Sequence, residues 1–464
     1  MRIDGFACNL SVDPFLDVSS EDLPSHIDNT RGGKFPKLHF SAKIAGGGEY
    51  PFLNNFRRIM KNILTKKRIM LTMVVSIVSF ASPVGAAEKL KIFILAGQSN
   101  TVGHANPHTV ATLYQSGNAR DEALARLVFK EGSGLSKEAL GEQLAQARKL
   151  DELSGGISFD KVKKMEDGPE KKALEAQLKT LKDAHEAYKE RVSSLCVVSD
   201  RVYINAIADG NKKAGKLGIG YGGGGKKIGP EYGFGLSMAE KIGGPILLIK
   251  TSWGGKSINY NFRPPSAGPY QLNDKEKAGG KSNEIKRNAG LNYRMMNESI
   301  RNVLSNLKEN HPAYDADAGY EIAGFVWFQG YNDQFSPEFR DNYKDNMISF
   351  IKDIRKEYKV PKMPFVIGVL GTGRTAEKVG ENAVSLGQRE AAKAPEFKGN
   401  VVSVESYQDY SNFSHEIFSK GWPKHYHEWD SVGSDRPYHY LGSGTFFVRL
   451  GDSFANAMVD LMTK

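Results

Sequence analysis

Short apolar runs that end in small polar turns recur along the chain, and they constrain its fold more than any other feature. The runs are continuous rather than alternating, which is typical of strands buried on both faces of a parallel sheet. Amphipathic stretches, such as 293–307 and 339–359, separate them. This alternation predicts an α/β domain with a parallel sheet. The apolar runs are 92–95, 245–249, 322–328, 363–369 and 401–404.

One charged segment interrupts the alternation. Residues from about 120 to 194 have a helical pattern, and their apolar stripe comprises Leu174, Leu178, Leu181, His185 and Tyr188. This pattern predicts a helical hairpin or lid inserted after the first strand. We expect His185 to serve packing rather than catalysis. The insertion could cover an active site or bind a partner, and its residues do not choose between the two.

The beginning of the chain resembles a leader. A basic segment that starts at Met60 precedes the apolar stretch 69–81, which is too short to span a bilayer comfortably, and small residues follow it. This order is typical of a secretory signal peptide, and an internal membrane anchor is the alternative. We predict a disordered upstream extension (1–59) placed before the true start, a signal peptide (60–86), and a folded domain (87–464). The domain would be periplasmic or secreted in a bacterium, without a stable membrane anchor after cleavage.

Composition and spacing exclude several classes of protein. The net charge of +10 comes from 63 basic and 53 acidic residues. Without a basic stripe it is a weak argument for nucleic acid, and we expect none as a partner. Cys8 and Cys196, the two cysteines of the chain, rule out a disulfide framework and a Cys-based zinc site. The glycine-rich stretch 218–227 lacks the spacing of a nucleotide-binding loop, so it more plausibly shapes a cleft.

Four motifs lie where a parallel sheet places its ligand crevice, at strand ends and before the last helix. Ser99, in the turn GQSN, suits an exposed nucleophile. Gly254 and Gly255, in WGGKS, let backbone N–H groups approach a ligand closely. Asn332, in WFQGYND, offers an amide donor. His439, in DRPYHYLG, could act as a general base.

In this order the motifs resemble those of the SGNH hydrolases, and within them the sialate O-acetylesterase and acetylxylan esterase group (carbohydrate esterase family six type). GQSN matches the nucleophile block, WGGKS the glycine block, and WFQGYND the WFQG-x-x-D and G-x-N-D blocks. The resemblance covers roughly residues 90–118 and 198–464. It implies a three-layer α/β/α sandwich with a flavodoxin-like parallel sheet, which here carries the helical insertion.

The resemblance also implies a mechanism. Ser99 would attack an ester carbonyl and His439 would serve as the base. The oxyanion would be held by the N–H of Ser99, by the N–H of Gly254 or Gly255, and by the Asn332 amide. No metal or cofactor is implied.

The catalytic acid is the one departure from the family pattern. That pattern is Asp-x-x-His, but Arg436 stands three residues before His439 and Asp435 stands four before it. We expect Asp435 to be the acid. Asp430, Glu405 and a dyad without an acid are the alternatives.

Other side chains near the motifs remain candidates for lesser roles. His415, His425 and His427 compete with His439 as the base, and His439 is preferred because a turn and a helix follow it as in the family. A metal site at His425 and His427 is disfavoured because no third ligand is evident. Glu231 could instead brace the nucleophile turn. The residues expected to contact substrate are Gln98, Glu231, Lys256, Gln329 and Tyr438.

The sequence thus predicts an exported serine esterase that removes O-acetyl groups from carbohydrate. A non-catalytic carbohydrate-binding protein on the same fold is the competing class. An esterase acting on a non-sugar ester is a third interpretation.

Overall fold

The computed structural model of the protein describes residues 88–463. The upstream extension predicted for 1–59 and the signal peptide predicted for 60–86 lie outside these residues. Among the described residues, no helix is both long and apolar enough to cross a bilayer.

A seven-stranded sheet forms the centre of the domain. Its strands are β1 (Leu90–Gly97), β2 (Val202–Ala208), β3 (Asn211–Lys216), β4 (Ile246–Ser252), β5 (Tyr320–Phe328), β6 (Phe365–Val369) and β7 (Val401–Glu405). The order across the sheet is β3-β2-β4-β1-β5-β6-β7. All neighbours are parallel except β2 and β3. Strands β4, β1, β5, β6 and β7 have the flavodoxin-like order, so the predicted class is confirmed.

Helices connect the strands. The α-helices are α1 (Ser99–Val102), α2 (Ala119–Val128), α3 (Lys137–Ser154), α4 (Asp160–Lys163), α5 (Pro169–Ser194), α6 (Pro230–Lys241), α7 (Asp274–Ala278), α8 (Ser282–Asn288), α9 (Leu291–Leu304), α10 (Leu307–Asn310), α11 (Pro337–Asp341), α12 (Tyr343–Glu357), α13 (Ala376–Glu381), α14 (Ala383–Ala392), α15 (Asn412–Ser419), α16 (Tyr426–Asp430) and α17 (Gly444–Met462). Short 3₁₀ segments occupy Pro107–Gln115, Gly223–Gly225, Pro265–Ala267, Asp333–Phe335, Pro395–Phe397, Ser406–Asp409 and Pro437–Gly442.

The domain has three layers because the strands are apolar on both faces. In β1, Phe93 and Leu95 belong to one core and Ile92 and Ile94 to the other, and all four are fully buried. Helices α6 and α17 cover the first face. Helices α9, α12 and α14 cover the second.

The β2–β3 hairpin was not predicted. Tyr203 and Asn205 interrupt the apolar run of β2, and β3 is largely exposed and rich in lysine. The available signal was the two-residue turn Asp209–Gly210, where φ is 34° and 84°. Such Asp-Gly turns favour tight hairpins because both central residues need positive φ. The exposed lysines keep this edge strand from pairing with another chain.

The predicted insertion consists of helices α2 to α5. On α5, Leu178 is buried and packs in a small core with helix α3, as its stripe predicts. Asp151 of α3 accepts hydrogen bonds from the backbone N–H groups of His427 and Glu428, each at 3.0 Å. These contacts dock the insertion onto α16.

Candidate active site

Three strand-end turns meet at the carboxyl edge of the sheet, around β1. Ser99 begins α1 directly after β1 and is partly exposed. The turn after β4 carries Gly255, and the turn after β5 carries Asn332. The N–H of Trp253 donates to the carbonyl of Gly97 at 3.2 Å, which joins two of the turns. Because β1 lies where the strand order reverses, this is the ligand crevice of the sheet.

Gln98 fixes the direction of the Asn332 amide. Its Oε1 accepts the backbone N–H groups of Gly330 and Asn332, at 3.1 and 3.3 Å. Its Nε2 therefore faces Oδ1 of Asn332 and donates to it at 3.0 Å. The Nδ2 of Asn332 forms no hydrogen bond with the described residues and points toward the Gly255 side, where a Cβ on Gly255 would lie 4.0 Å from it. An amide donor is thus held ready beside the glycine turn.

The two glycines of the turn after β4 are not equivalent. The N–H of Gly254 already donates to both carboxylate oxygens of Asp209, at 3.0 Å each. Gly255 is exposed, has a φ of 65°, and its N–H has no hydrogen-bond partner among residues 88–463. Of the two predicted oxyanion donors, Gly255 is therefore the one that the structure leaves available.

A buried carboxylate supports the glycine turn. Asp333 is fully buried and accepts the backbone N–H groups of Ile258 and Asn259, each at 3.1 Å. Gln329 Nε2 donates to it at 2.5 Å. Burial raises the pKa of Asp333 to about 7, and these donors oppose the shift because they favour the ionised carboxylate. Asp333 lies within the motif WFQGYND but was not among the predicted site residues.

The acid and the base lie together in the last loop. The Nδ1 of His439 is 3.2 Å from Oδ1 of Asp435, which is an ion-pair distance. The contact does not have the geometry of a well-aligned hydrogen bond. Burial by itself raises the pKa of Asp435, but the nearby rings of His104 and His439 and the N–H of Arg436 outweigh it and hold this pKa well below its usual range. Asp435 is therefore a carboxylate beside the imidazole.

Two residues directly after His439 have a left-handed backbone conformation. Tyr440 and Leu441 have φ of 50° and 64°, a conformation that costs about 1–3 kcal/mol for a residue other than glycine. Tyr440 is fixed there because its hydroxyl accepts the N–H of Gly371 at 2.9 Å and its ring stacks on Phe446 at 3.9 Å. Asn100 Nδ2 donates to the carbonyl of Tyr438 at 3.2 Å, which ties this loop to the nucleophile turn.

The two alternative acids, Asp430 and Glu405, form ion pairs with other residues. Asp430 binds Lys189 Nζ at 2.7 Å and His185 Nε2 at 3.1 Å. Burial raises the pKa of Asp430, but its hydrogen bond with His185 and the charge of Lys189 outweigh it and leave the pKa well below the ordinary value. Glu405 forms a two-point ion pair with Arg389, at 2.7 and 2.9 Å.

The competing histidines lie away from Asp435. His427 Nδ1 is 2.8 Å from Oδ1 of Asp151, on the insertion. His425 is 3.8 Å from Glu428, and the ring of His415 lies 6.0 Å from that of Tyr410.

Three of the five residues expected to contact substrate are buried and form hydrogen bonds within the protein. Gln98 and Gln329 are 1% and 3% exposed, and their amides are used within the network described above. Glu231 is 0% exposed and accepts Lys250 Nζ at 2.7 Å, so it cannot reach a sugar. Their buried hydrogen bonds hold these three side chains beneath the turns. Lys256 is half-buried and Tyr438 is exposed, which leaves both available.

Glu231 and Lys250 brace the nucleophile turn from inside the domain. Lys250 Nζ also donates to the carbonyl of Val102, at the end of α1, and to that of Tyr221, at 2.8 and 2.9 Å. Glu231 accepts the N–H of Gly229 at 2.9 Å. Burial lowers the pKa of Lys250, and the Glu231 carboxylate opposes that shift. The bracing role considered for Glu231 in the sequence analysis agrees with these contacts.

Replacing Lys250 with methionine should lower the free energy of unfolding by about 3–5 kcal/mol, because it leaves the Glu231 carboxylate buried without a partner. Urea denaturation would measure this loss. Lys216→Met, which breaks an exposed pair with Asp200, is the matched control and should leave stability nearly unchanged. A loss as small as that of the control would contradict the role given to the buried pair.

Two groups of side chains bring metal-ligating atoms together among the described residues. They are His104, Asp435 and His439, and His185, Glu186 and Asp430. In each group an ammonium already faces the shared aspartate, with Lys227 3.7 Å from Asp435 and Lys189 2.7 Å from Asp430. A positive charge at that place disfavours a cation, so neither group fits a metal well.

A cleft of about 420 Å³ adjoins the acid–base loop. Tyr331 and Tyr438 stand in its wall with ring centroids 5.8 Å apart. Thr372, Lys378 and Asn382 supply polar groups. Aromatic faces with a few polar groups suit a ring-shaped polar ligand.

Comparison with known proteins adds a family. Residues 208–409 match the family described as carbohydrate esterase, sialic acid-specific acetylesterase. The matched residues include Gly255 and Asn332, whereas Ser99, Asp435 and His439 lie outside them. A search of curated proteins finds no match.

Solved structures resemble the chain only distantly. A protein from Arabidopsis thaliana has 15% identity and a TM-score of 0.38, over 80% of this chain and 98% of its own. A carbohydrate acetylesterase from Xanthomonas citri has 13% identity and a TM-score of 0.34, over 69% and 51%. NanS has 10% identity and a TM-score of 0.34, over 69% and 78%. With TM-scores below 0.5, these likenesses carry no weight in the assignment.

The family match covers the glycine turn and the Asn332 motif, which are two of the four motifs that carried the resemblance. The resemblance is therefore confirmed over residues 208–409, which match the sialic acid-specific acetylesterase domain of the carbohydrate esterases, and the protein is a carboxylic ester hydrolase.

Proposed function

We propose that this protein is an exported serine esterase that removes O-acetyl groups from carbohydrates, with Ser99 as nucleophile, His439 as base and Asp435 as acid. The observation that carries the proposal is the contact between Asp435 and His439, in a loop that Asn100 ties to the nucleophile turn. The family match supports an acetylated carbohydrate as the substrate. Export rests on the leader-like segment that begins at Met60.

In the first half of the reaction, Ser99 Oγ attacks the acetyl carbonyl carbon while Nε2 of His439 takes its proton. The negative charge on the carbonyl oxygen is held by N–H groups of Ser99 and Gly255 and by Nδ2 of Asn332. His439 then gives its proton to the sugar oxygen as the C–O bond breaks. The sugar leaves as an alcohol and the acetyl group stays on Ser99.

In the second half, His439 removes a proton from water, and the resulting nucleophile attacks the acetyl-serine carbonyl. Collapse of the second tetrahedral intermediate returns the proton to Ser99 Oγ and releases acetate. Asp435 keeps the imidazole in the tautomer with the proton on Nδ1 and stabilises the imidazolium in both halves. These steps need only side chains of this chain and water.

Acetate release by the purified protein tests this proposal. We expect hydrolysis of p-nitrophenyl acetate, of acetylated xylan or of O-acetylated sialic acid, and much slower hydrolysis of the matching butyrate ester. A serine-reactive fluorophosphonate should label Ser99. Absence of both labelling and acetate release from a folded sample would favour the non-catalytic carbohydrate-binding protein. Turnover of simple acetyl esters without any acetylated glycan would favour a non-sugar substrate.

Replacing Asn332 with aspartate should lower kcat by about 10²–10³-fold with little change in KM, because one oxyanion donor is lost without a change in size. Steady-state kinetics on p-nitrophenyl acetate would measure the loss. Asn302→Asp, on the exposed face of α9, is the matched control and should leave kcat unchanged. A rise in KM at constant kcat would instead show that Asn332 is not part of the oxyanion hole.

A further inference from the structure

A second histidine lies against the proposed acid–base pair. The ring of His104 stacks on that of His439, with centroids 3.9 Å apart and planes within 7°. Its Nδ1 is 3.2 Å from Oδ2 of Asp435, the carboxylate oxygen that does not face His439. His104 follows the nucleophile turn in GQSNTVGHAN and was not among the predicted site residues.

We propose that His104 is a positioning residue for the esterase reaction, donating Nδ1–H to Asp435 and so orienting the carboxylate that His439 depends on. The inference rests on the proposed function of Ser99, His439 and Asp435. His104 itself touches neither the ester nor the nucleophile in this assignment.

The contacts of Asp435 divide cleanly between its two oxygens. Oδ1 faces His439 and accepts the N–H of Arg436 at 2.7 Å. Oδ2 faces His104 at 3.2 Å and Lys227 Nζ at 3.7 Å. A carboxylate held on one side alone could rotate away from His439. The donor on Oδ2 removes that freedom and keeps Oδ1 toward the base.

The backbone around His104 also ties the loop to the nucleophile turn. The hydroxyl of Ser434, next to Asp435, donates to the carbonyl of His104 at 3.0 Å. A Cβ on Gly442 would lie 2.8 Å from the same carbonyl, so the loop packs closely there. One short segment therefore carries both the nucleophile and the group that holds the acid.

The electrostatics favour a neutral His104 near neutral pH. Burial is the largest influence and lowers the pKa of His104; it outweighs the opposing influence of Asp435, and His439 and Lys227 lower the pKa further. A neutral ring can donate one hydrogen bond and stack on His439 without repelling the imidazolium formed during catalysis. A protonated His104 would place a second positive charge 3.9 Å from that imidazolium.

Two substitutions separate the hydrogen bond from the packing. His104→Phe keeps the stacked ring but removes the donor, and kcat should fall about tenfold to a hundredfold with KM nearly unchanged. His104→Gln keeps an N–H donor and should restore most of the activity at pH 8. His425→Phe, at a half-exposed histidine near Glu428, is the matched control and should behave as wild type.

The pH profile is a readout that a packing role would not move. In the wild type, protonation of His104 places a second positive charge beside His439, so it should steepen the acid limb of log kcat/KM. In His104→Gln no group titrates at that position, and the acid limb should be shallower. In an Asp435→Asn background, His104→Phe should have no further effect, because the carboxylate that it serves is absent.

Equal losses in His104→Phe and His104→Gln that persist beside Asp435→Asn would overturn the inference in favour of packing. Wild-type behaviour of His104→Phe would overturn it as well. A wild type that hydrolyses no ester would instead contradict the proposed function. The inference would then be decided by ¹⁵N NMR of the His104 ring, which should carry its proton on Nδ1 in the wild type at neutral pH. A proton on Nε2 instead would overturn it.

Discussion

Replacing Ser99 with alanine is expected to lower kcat for acetyl ester hydrolysis by about 10³-fold or more. The substitution removes the oxygen that forms the acetyl-enzyme and leaves the remaining groups with nothing to activate. Ser99 begins α1 and is partly exposed, so the loss of its hydroxyl should not disturb the fold. His439→Ala should cause a similar loss, and the double variant should be little worse than either, because the two residues act as a unit.

Acetate release and labelling by a fluorophosphonate would measure the effect of Ser99→Ala, with circular dichroism to verify folding. Ser305→Ala, at an exposed serine after α9, is the matched control and should retain full activity. Retained turnover in Ser99→Ala would show that another group is the nucleophile. The assignment of GQSN as the nucleophile block would then be wrong.

Replacing Asp435 with asparagine is expected to lower kcat by about 10³–10⁴-fold. The amide can present a donor to Nδ1 of His439, which favours the wrong tautomer and gives no charge to stabilise the imidazolium. The size of the side chain is unchanged, so the loop should keep its conformation. A steady-state comparison across pH 6–9 would measure the loss.

Two variants test the alternative acids directly. Glu405→Gln should leave kcat unchanged, because Glu405 is paired with Arg389. Asp430→Asn should weaken the docking of the insertion, since it removes the partner of His185 and Lys189, and should affect stability more than kcat. Loss of turnover in Glu405→Gln with activity retained in Asp435→Asn would transfer the role of acid to Glu405. Full activity in all three variants would indicate a dyad.

Much of the fold could be predicted because it depends on local patterns of apolar and polar residues in the sequence. The run around Ile92–Leu95 is apolar at every position, which only a strand buried on both faces explains, and the structure places it at the centre of the sheet. The hairpin of β2 and β3 escaped prediction because half of it is polar and lies at an edge. Its one strong signal, Asp209–Gly210, is a turn signal rather than a strand signal.

The site was predicted in part for the same reason. Ser99, Gly255 and Asn332 follow strand ends, and parallel strands bring their carboxyl ends to one edge. Gln98, Gln329 and Glu231 were assigned to substrate because they lie in or near the same motifs. In the structure these side chains are buried, and their hydrogen bonds stabilise the turns above them.

The sequence alone was enough to predict the class of fold, the turns proposed to carry the chemistry and the family resemblance, because these depend on short-range patterns of apolar and small residues. Only the tertiary structure decided that Asp435, rather than Asp430 or Glu405, lies beside His439, and that His104 shares its carboxylate. It also decided that Gly254 is already bonded to Asp209. Such pairings join residues far apart in the chain, and their geometry follows from the packing of loops on the sheet, which no local pattern records.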